Sequence, residues 1–177
     1  MEKNTITLLQ DMPIFGGLTE ASLLCLLETA RRNRYAVDEF LFRQGDPTGN
    51  VYVLTEGRVV VRKEAVDAEF HVCELGTGDC IGELSLIDPG PRTASVFARE
   101  ECRAICLEPN DFYRLRHQDL PQYTLLQLNI AREVCRRFRA TEERLCNILA
   151  DFIRNETSIP PKTPLGYHRG PINRKKI

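Results

Sequence analysis

Apolar residues recur along this chain with two different periods, and the change between them divides it. In LTEASLLCLLETARR, residues 18–32, Leu23, Leu24, Leu26 and Leu27 form a stripe on one face of a helix, and Thr19 stands where an N-cap belongs. Helical spacing then fades until about residue 111. Between lie short β-rich runs at 51–54, 59–61, 70–75, 93–98 and 102–107, with Gly45, Gly76, Gly78, Gly90 and Pro109 at the breaks. Glu56-Gly57 separates the first two runs and predicts a hairpin, with Gly57 at positive φ. Many short strands cut by turn residues predict an antiparallel barrel or roll, so the fold class is mainly β with flanking helices.

From Leu120 to about Phe152 the period becomes helical again. Ile130, Val134, Phe138, Thr141, Leu145, Ile148 and Phe152 recur at steps of three or four, and Pro121 suits a helix start. A helix of about thirty residues is about 45 Å long, more than a small β-roll covers. A second copy of the same helix is the expected partner for part of the 130–152 stripe, giving a homodimer; folding back on its own domain is the alternative. The predicted organisation is therefore a β-roll with an N-terminal helix over 1–119, a long C-terminal helix over 120–153, and a Pro-rich segment over 154–177. That last segment is expected to be extended or disordered.

Charge sharpens this division. The net charge is −1, but from Arg154 onward six cations face Glu156 alone, a local balance of +5 that leaves the body near −6. No run approaches the roughly 18 apolar residues of a membrane span, and MEKNTITLLQDM lacks a secretory leader's apolar stretch. Seven cysteines without a CxxC pair argue against a disulfide framework or a zinc site, and a cytoplasmic setting is expected. Cys73, Cys102 and Cys106 read as buried small hydrophobes. His71, His117 and His168 lack metal-ligand spacing, Asp88 and Asp111 read as loop or helix-cap residues, and no GxSxG or HExxH appears. Catalysis is not expected.

The chemistry concentrates in CIGELSLIDPGPRTASVFA, residues 80–98, where Glu83 and Arg92 stand on the two lips of a Pro/Gly loop. One reading is a surface ion pair, worth under about 1 kcal/mol. The other is a pocket. Gly82 lets backbone approach a ligand, residues 83–87 can form one helical turn with amides open to an anion, and Arg92 supplies a fork for two phosphate oxygens. Glu83, ionised, only accepts hydrogen bonds and so suits hydroxyl donors. A carboxylate for hydroxyls beside a guanidinium for phosphate describes a sugar phosphate.

Residues 82–86 and 91–96, GELSL and PRTASV, resemble the phosphate-binding cassette of cyclic nucleotide-binding domains. Those domains occur in catabolite activator proteins, regulatory subunits of cyclic-AMP-dependent protein kinase and cyclic nucleotide-gated channels. Phe15-Gly16-Gly17-Leu18, Gly45-Asp46, residues 52–59 and residues 76–82 follow in family order, so the likeness covers about residues 12–153. It implies a double-stranded β-helix, or jelly roll, that binds cyclic AMP, with cyclic GMP as the alternative. It implies Glu83 on the ribose 2′-OH and Arg92 on the cyclic phosphate. Gly82, Leu84, Ser85, Thr93 and Ala94 complete the phosphate site. Residues 136–145 are similar to the activator family's dimer helix, which places Thr141 at the base. The implied role is a cyclic nucleotide sensor signalling through its C-terminal helix and tail to a protein effector. No recognition-helix pattern follows residue 153, so sequence-specific DNA binding is not expected. A scaffold domain with an incidental pocket and a nonspecific nucleic-acid binder acting through residues 154–177 are the competing readings.

Overall fold

The computed structural model describes residues 2–47, 49–66 and 68–155. Of the expected tail, Arg154 and Asn155 belong to the last helix, and residues 156–177 lie outside the described residues. The described residues fall into two units, one ending at Arg137 and the other beginning at Phe138.

In the first unit, helices α1 (Glu2–Asp11) and α2 (Glu20–Leu27) precede eight strands. These are β1 (Arg31–Tyr35), β2 (Phe40–Phe42), β3 (Val51–Glu56), β4 (Arg58–Ala65), β5 (Ala68–Gly76), β6 (Cys80–Ile81), β7 (Ser95–Ala98) and β8 (Cys102–Leu107). A 3-10 turn at Glu83–Leu86 follows β6, and α3 (Pro109–Gln118) and α4 (Leu120–Asn155) close the order. The strands form two antiparallel four-stranded sheets, β1-β8-β3-β6 and β2-β7-β4-β5, the jelly-roll arrangement expected.

Strand alternation gives the first sheet two apolar faces. Val51, Val53, Ile105 and Leu107 cluster with residues of the helices, among them Leu9, Leu23, Leu26, Leu115, Leu126 and Ile130. Tyr52, Leu54, Ala104 and Cys106 cluster with Val59, Val96 and Ala98 of the second sheet. Full burial of each large aliphatic side chain stabilises the fold by about 1.5–3 kcal/mol, so the two cores fix how the sheets and helices stack.

Several local expectations change. Gly57 does take a positive φ, 86°, but β3 and β4 lie in different sheets, so Glu56-Gly57 is a corner and not a hairpin. A Cβ there would lie 2.5 Å from the Glu101 carbonyl oxygen, so close passage of β8 also requires glycine. The paired hairpin is β4–β5. The helix expected over 18–32 stops at Leu27, and Arg31–Tyr35 pairs with β8 instead. Thr19 is its N-cap, accepting from the Ser22 amide, while Leu24 faces outward at 42% exposure. Asp111 joins Glu108 in a capping box at the start of α3 and also accepts from Thr29 and Arg114. Cys102 and Cys106 are buried as expected, whereas Cys73 is only half-buried. Val134 packs against the helix-side core and, with fully buried Ile130, leaves the exposed stripe.

The second unit is described through residues 138–155, the rest of α4. Phe138, Leu145, Ile148, Leu149, Phe152 and Ile153 are each more than half exposed. These side chains form an apolar stripe left uncovered by the described residues.

Candidate functional site

The site begins at the end of β6. Cys80 and Ile81 pair with Val53 and Tyr52, and the chain then turns at Gly82 with φ 84° into the 3-10 turn. The left-handed backbone favours glycine, but a second constraint is stronger. A Cβ on Gly82 would lie 2.4 Å from Arg92 Nη1 and 3.0 Å from the Asn50 carbonyl oxygen. The space that glycine leaves is filled by the Arg92 guanidinium and not held open for a ligand. Gly82→Ala should therefore displace the arginine as well as strain the turn. At about 1–2 kcal/mol of backbone strain, the melting temperature should fall by roughly 2–8 °C, with nucleotide affinity falling too. Calorimetric melting and a binding titration check this; unchanged values for both would contradict the packing described.

Arg92 is 9% exposed. Its backbone is fixed by the β2–β3 loop, donating to Asp46 O at 2.9 Å and accepting from Gly45 N at 2.9 Å. The guanidinium stacks 4.1 Å from the Phe42 ring centre, and Nη2 donates to the Asn50 carbonyl at 2.6 Å. Nε is buried and has no hydrogen-bond partner among the described residues, and no carboxylate there makes an ion pair with Arg92. Burial pulls its pKa below the ordinary arginine value, an effect that neighbouring Tyr52 and Asp46 oppose. Arginine nevertheless stays protonated at neutral pH, so the fold keeps a cation out of water with no ion pair to it among the described residues.

Glu83 is buried at 3% exposure, at the head of the turn. Its Oε1 accepts from Arg137 Nη1 at 2.6 Å. Arg137 also reaches Glu133 Oε1 through Nε at 3.0 Å and the Cys80 carbonyl through Nη2 at 3.3 Å. One guanidinium thus ties α4 to the end of β6 and to the pocket acid. Burial raises the Glu83 pKa despite the attraction of Arg137. For Arg137 burial acts downward, but Glu83 and Glu133 outweigh it and hold the guanidinium more firmly charged than usual. Burial also pushes the Cys80 thiol well up, which makes it a packing group and not a nucleophile.

The structure therefore brings Gly82, Glu83 and Arg92 together, but it does not make the surface ion pair considered from sequence. Both charged residues are buried, and the partner of Glu83 is Arg137. Ser85 turns its hydroxyl back to donate to the Gly82 carbonyl at 2.5 Å. Leu84 and Thr93 are exposed and Ala94 is half-buried along the loop. Thr141 is exposed on α4 in the second unit. Sequence reasoning missed Arg137 as a site residue. The available signal was Glu133, four residues before it, a spacing that orders an arginine on a helix face. Phe42 and Asn50 were also missed, since neither carries a motif. Among the described residues no cluster of His, Cys, Asp and Glu could hold a metal ion, and no helix is long and apolar enough to cross a membrane.

The family model described as the cyclic nucleotide-binding domain matches residues 32–119. The chain is 28% identical over 137 residues to a CRP-like cAMP-activated global transcriptional regulator of Mycobacterium tuberculosis, covering 77% of this chain and 59% of that protein. It is 35% identical over 91 residues to the cAMP-dependent protein kinase type II regulatory subunit of Drosophila melanogaster, covering 51% of this chain and 24% of that one. The N-terminal domain of a transcriptional regulator from Streptomyces coelicolor A3(2) superposes with a TM-score of 0.65 at 32% identity. That match covers 77% of this chain and 95% of the bacterial domain.

Proposed function

Because the chain belongs to the cyclic nucleotide-binding domain family, we propose that it is a cyclic nucleotide receptor, and not an enzyme, whose pocket is built on Gly82, Glu83 and Arg92. The observation that carries this reading is Arg92, a buried cation with an orphaned Nε and no ion pair among the described residues. A cyclic phosphate is the anion it suits, since a guanidinium fork matches two phosphate oxygens. Glu83 takes the ribose 2′-OH as acceptor, and the 3-10 turn with Leu84, Ser85, Thr93 and Ala94 surrounds the phosphate. Arg137 couples Glu83 to α4, so a hydroxyl that competes for Glu83 alters how that helix is held. The output is proposed to pass through a homodimer of α4 to a protein effector in the cytoplasm.

We propose cyclic AMP as the preferred ligand by roughly tenfold or less, with cyclic GMP also bound. The two threonines act in opposite directions. Thr93 can bond the 2-amino group of a syn guanine, and Thr141 is the residue proposed to accept from the adenine 6-amino group. Each such bond is worth about 0.5–1.5 kcal/mol net, so neither dominates. Displacement of a fluorescent cyclic nucleotide by cyclic AMP, cyclic GMP and 5′-AMP, on wild type, Thr93→Ala and Thr141→Ala, tests this. Cyclic AMP should displace best, and Thr141→Ala should weaken it. If Thr141→Ala leaves cyclic AMP untouched while Thr93→Ala abolishes cyclic GMP binding, the preference is reversed. Displacement by none of the three overturns the receptor reading.

Glu83 also gives a pH signature. Its folded pKa is raised, so its contribution to stability is complete below the unfolded glutamate pKa and is lost as pH rises through the folded value. Affinity runs the other way, because only the carboxylate accepts freely from hydroxyls. Cyclic AMP affinity should fall as pH drops through a window lying above the ordinary glutamate range. Glu83→Gln with cyclic AMP, and wild type with 2′-deoxy cyclic AMP, should lack that fall. Parallel pH profiles in all three would remove Glu83 from ribose recognition.

A further inference from the structure

A second cavity lies away from this pocket, on the helix side of the first sheet. It has a volume of about 490 Å³, is bordered by Thr5 and Leu8 of α1, and includes none of Gly82, Glu83 and Arg92. This is the size of a small-molecule site. The sheet face beneath it changes character along its length. Val53 pairs with Ile105 over the helix-side core, and beyond them the lining becomes Arg32, Arg34 and Arg103.

The strand register makes this cluster unfavourable by itself. Arg32 pairs with Ile105, and Arg34 stands directly opposite Arg103, so all three arginines are set on one side of β1 and β8. Like charges directly opposite on neighbouring strands destabilise a sheet. Among the described residues the one carboxylate lining the cavity is Glu56, 3.2 Å from Arg103, so three cations face one anion, +3 − 1 = +2. Arg32 donates to the hydroxyl of buried Thr5 at 3.5 Å. The cavity therefore combines guanidinium forks, a buried hydroxyl and apolar walls at Leu8 and Ile105.

We propose that this cavity is a second ligand site, taking a small molecule that bears a phosphate group and lies between α1 and the β1–β8 edge. Arg32 and Arg34 hold the phosphate, for which their planar forks are suited. A ligand bound there bridges α1 to the sheet and relieves the Arg34–Arg103 repulsion. The site requires nothing of the cyclic nucleotide pocket, and the two can be tested apart.

The test is titration of the full chain with inorganic pyrophosphate at fixed ionic strength, by calorimetry and by amide chemical shifts. Wild type should bind, with shifts at Thr5, Arg34 and Arg103. Arg32→Gln and Arg34→Gln should each weaken binding by about tenfold or more, and Arg92→Ala should leave it unchanged. Arg34→Gln should also melt no lower than wild type without pyrophosphate, because it removes a like-charge pair. Binding lost only in Arg92→Ala would assign the anion to the other pocket and overturn the proposal. So would equal binding in wild type and both arginine variants, a lowered melting temperature for Arg34→Gln, or no pyrophosphate binding by wild type.

Discussion

Arg92→Ala is expected to lower cyclic AMP affinity by about 30- to 5,000-fold, the equivalent of roughly 2–5 kcal/mol for stranding a desolvated phosphate. The size of the effect follows from burial. Arg92 is screened by Phe42 on one side and held by Asn50 on another, so its charge acts in a low dielectric. Arg92→Lys should lie between the two, because an ammonium keeps the charge but loses the fork and the stacking. Glu83→Ala should cost less than Arg92→Ala, since it removes hydroxyl bonds and not charge pairing, and Arg137 keeps Glu133. Melting curves without nucleotide show whether each variant is folded. A folded Arg92→Ala that binds like wild type would mean that the phosphate is held elsewhere.

Phe138→Glu combined with Leu145→Glu is expected to convert a dimer into a monomer. Both side chains are exposed, at 63% and 55%, so the exchange should leave the chain's own core intact. The same cannot be said of Val134, whose contacts with the helix-side core would make any loss of assembly ambiguous. Each apolar side chain of the stripe gains about 1.5–3 kcal/mol on full burial, and the double variant puts four carboxylates into a paired seam. Sedimentation at tens of micromolar, a range suited to weak dimers, should show wild type as a dimer and the variant as a monomer. A monomeric wild type would end the proposal for α4.

These two predictions draw on different depths of sequence information. The loop at 82–93 was legible because its chemistry is local: a glycine, an acid, stiffening prolines and an arginine within twelve positions. What holds those residues was not legible. Arg137 reaches Glu83 across 54 positions, and the Arg92 guanidinium rests on Asn50, 42 positions away. No local period encodes such pairs; they follow from how two sheets and a helix stack. The strand missed at Arg31–Tyr35 has a different cause. Its sequence, RRNRY, is polar on both faces at most positions, and its leading arginines read as the basic last turn of α2. The β3–β4 corner was misread because a glycine at positive φ serves a hairpin and a sheet-to-sheet crossing equally well. For α1, Ile6 and Leu9 at a step of three, followed by Met12 just past the helix end, were present, and all three are buried. The long helix was legible in extent but not in partnership, since the stripe belongs to the core through Val134 and is exposed from Phe138.

The measurement that tests the central claim most directly is a calorimetric titration of the purified chain with cyclic AMP at neutral pH, repeated with Arg92→Ala. The account predicts saturable binding with one nucleotide per chain, and its loss or severe weakening in the variant. Absence of binding by wild type, or saturable binding of equal strength by the folded variant, would contradict it.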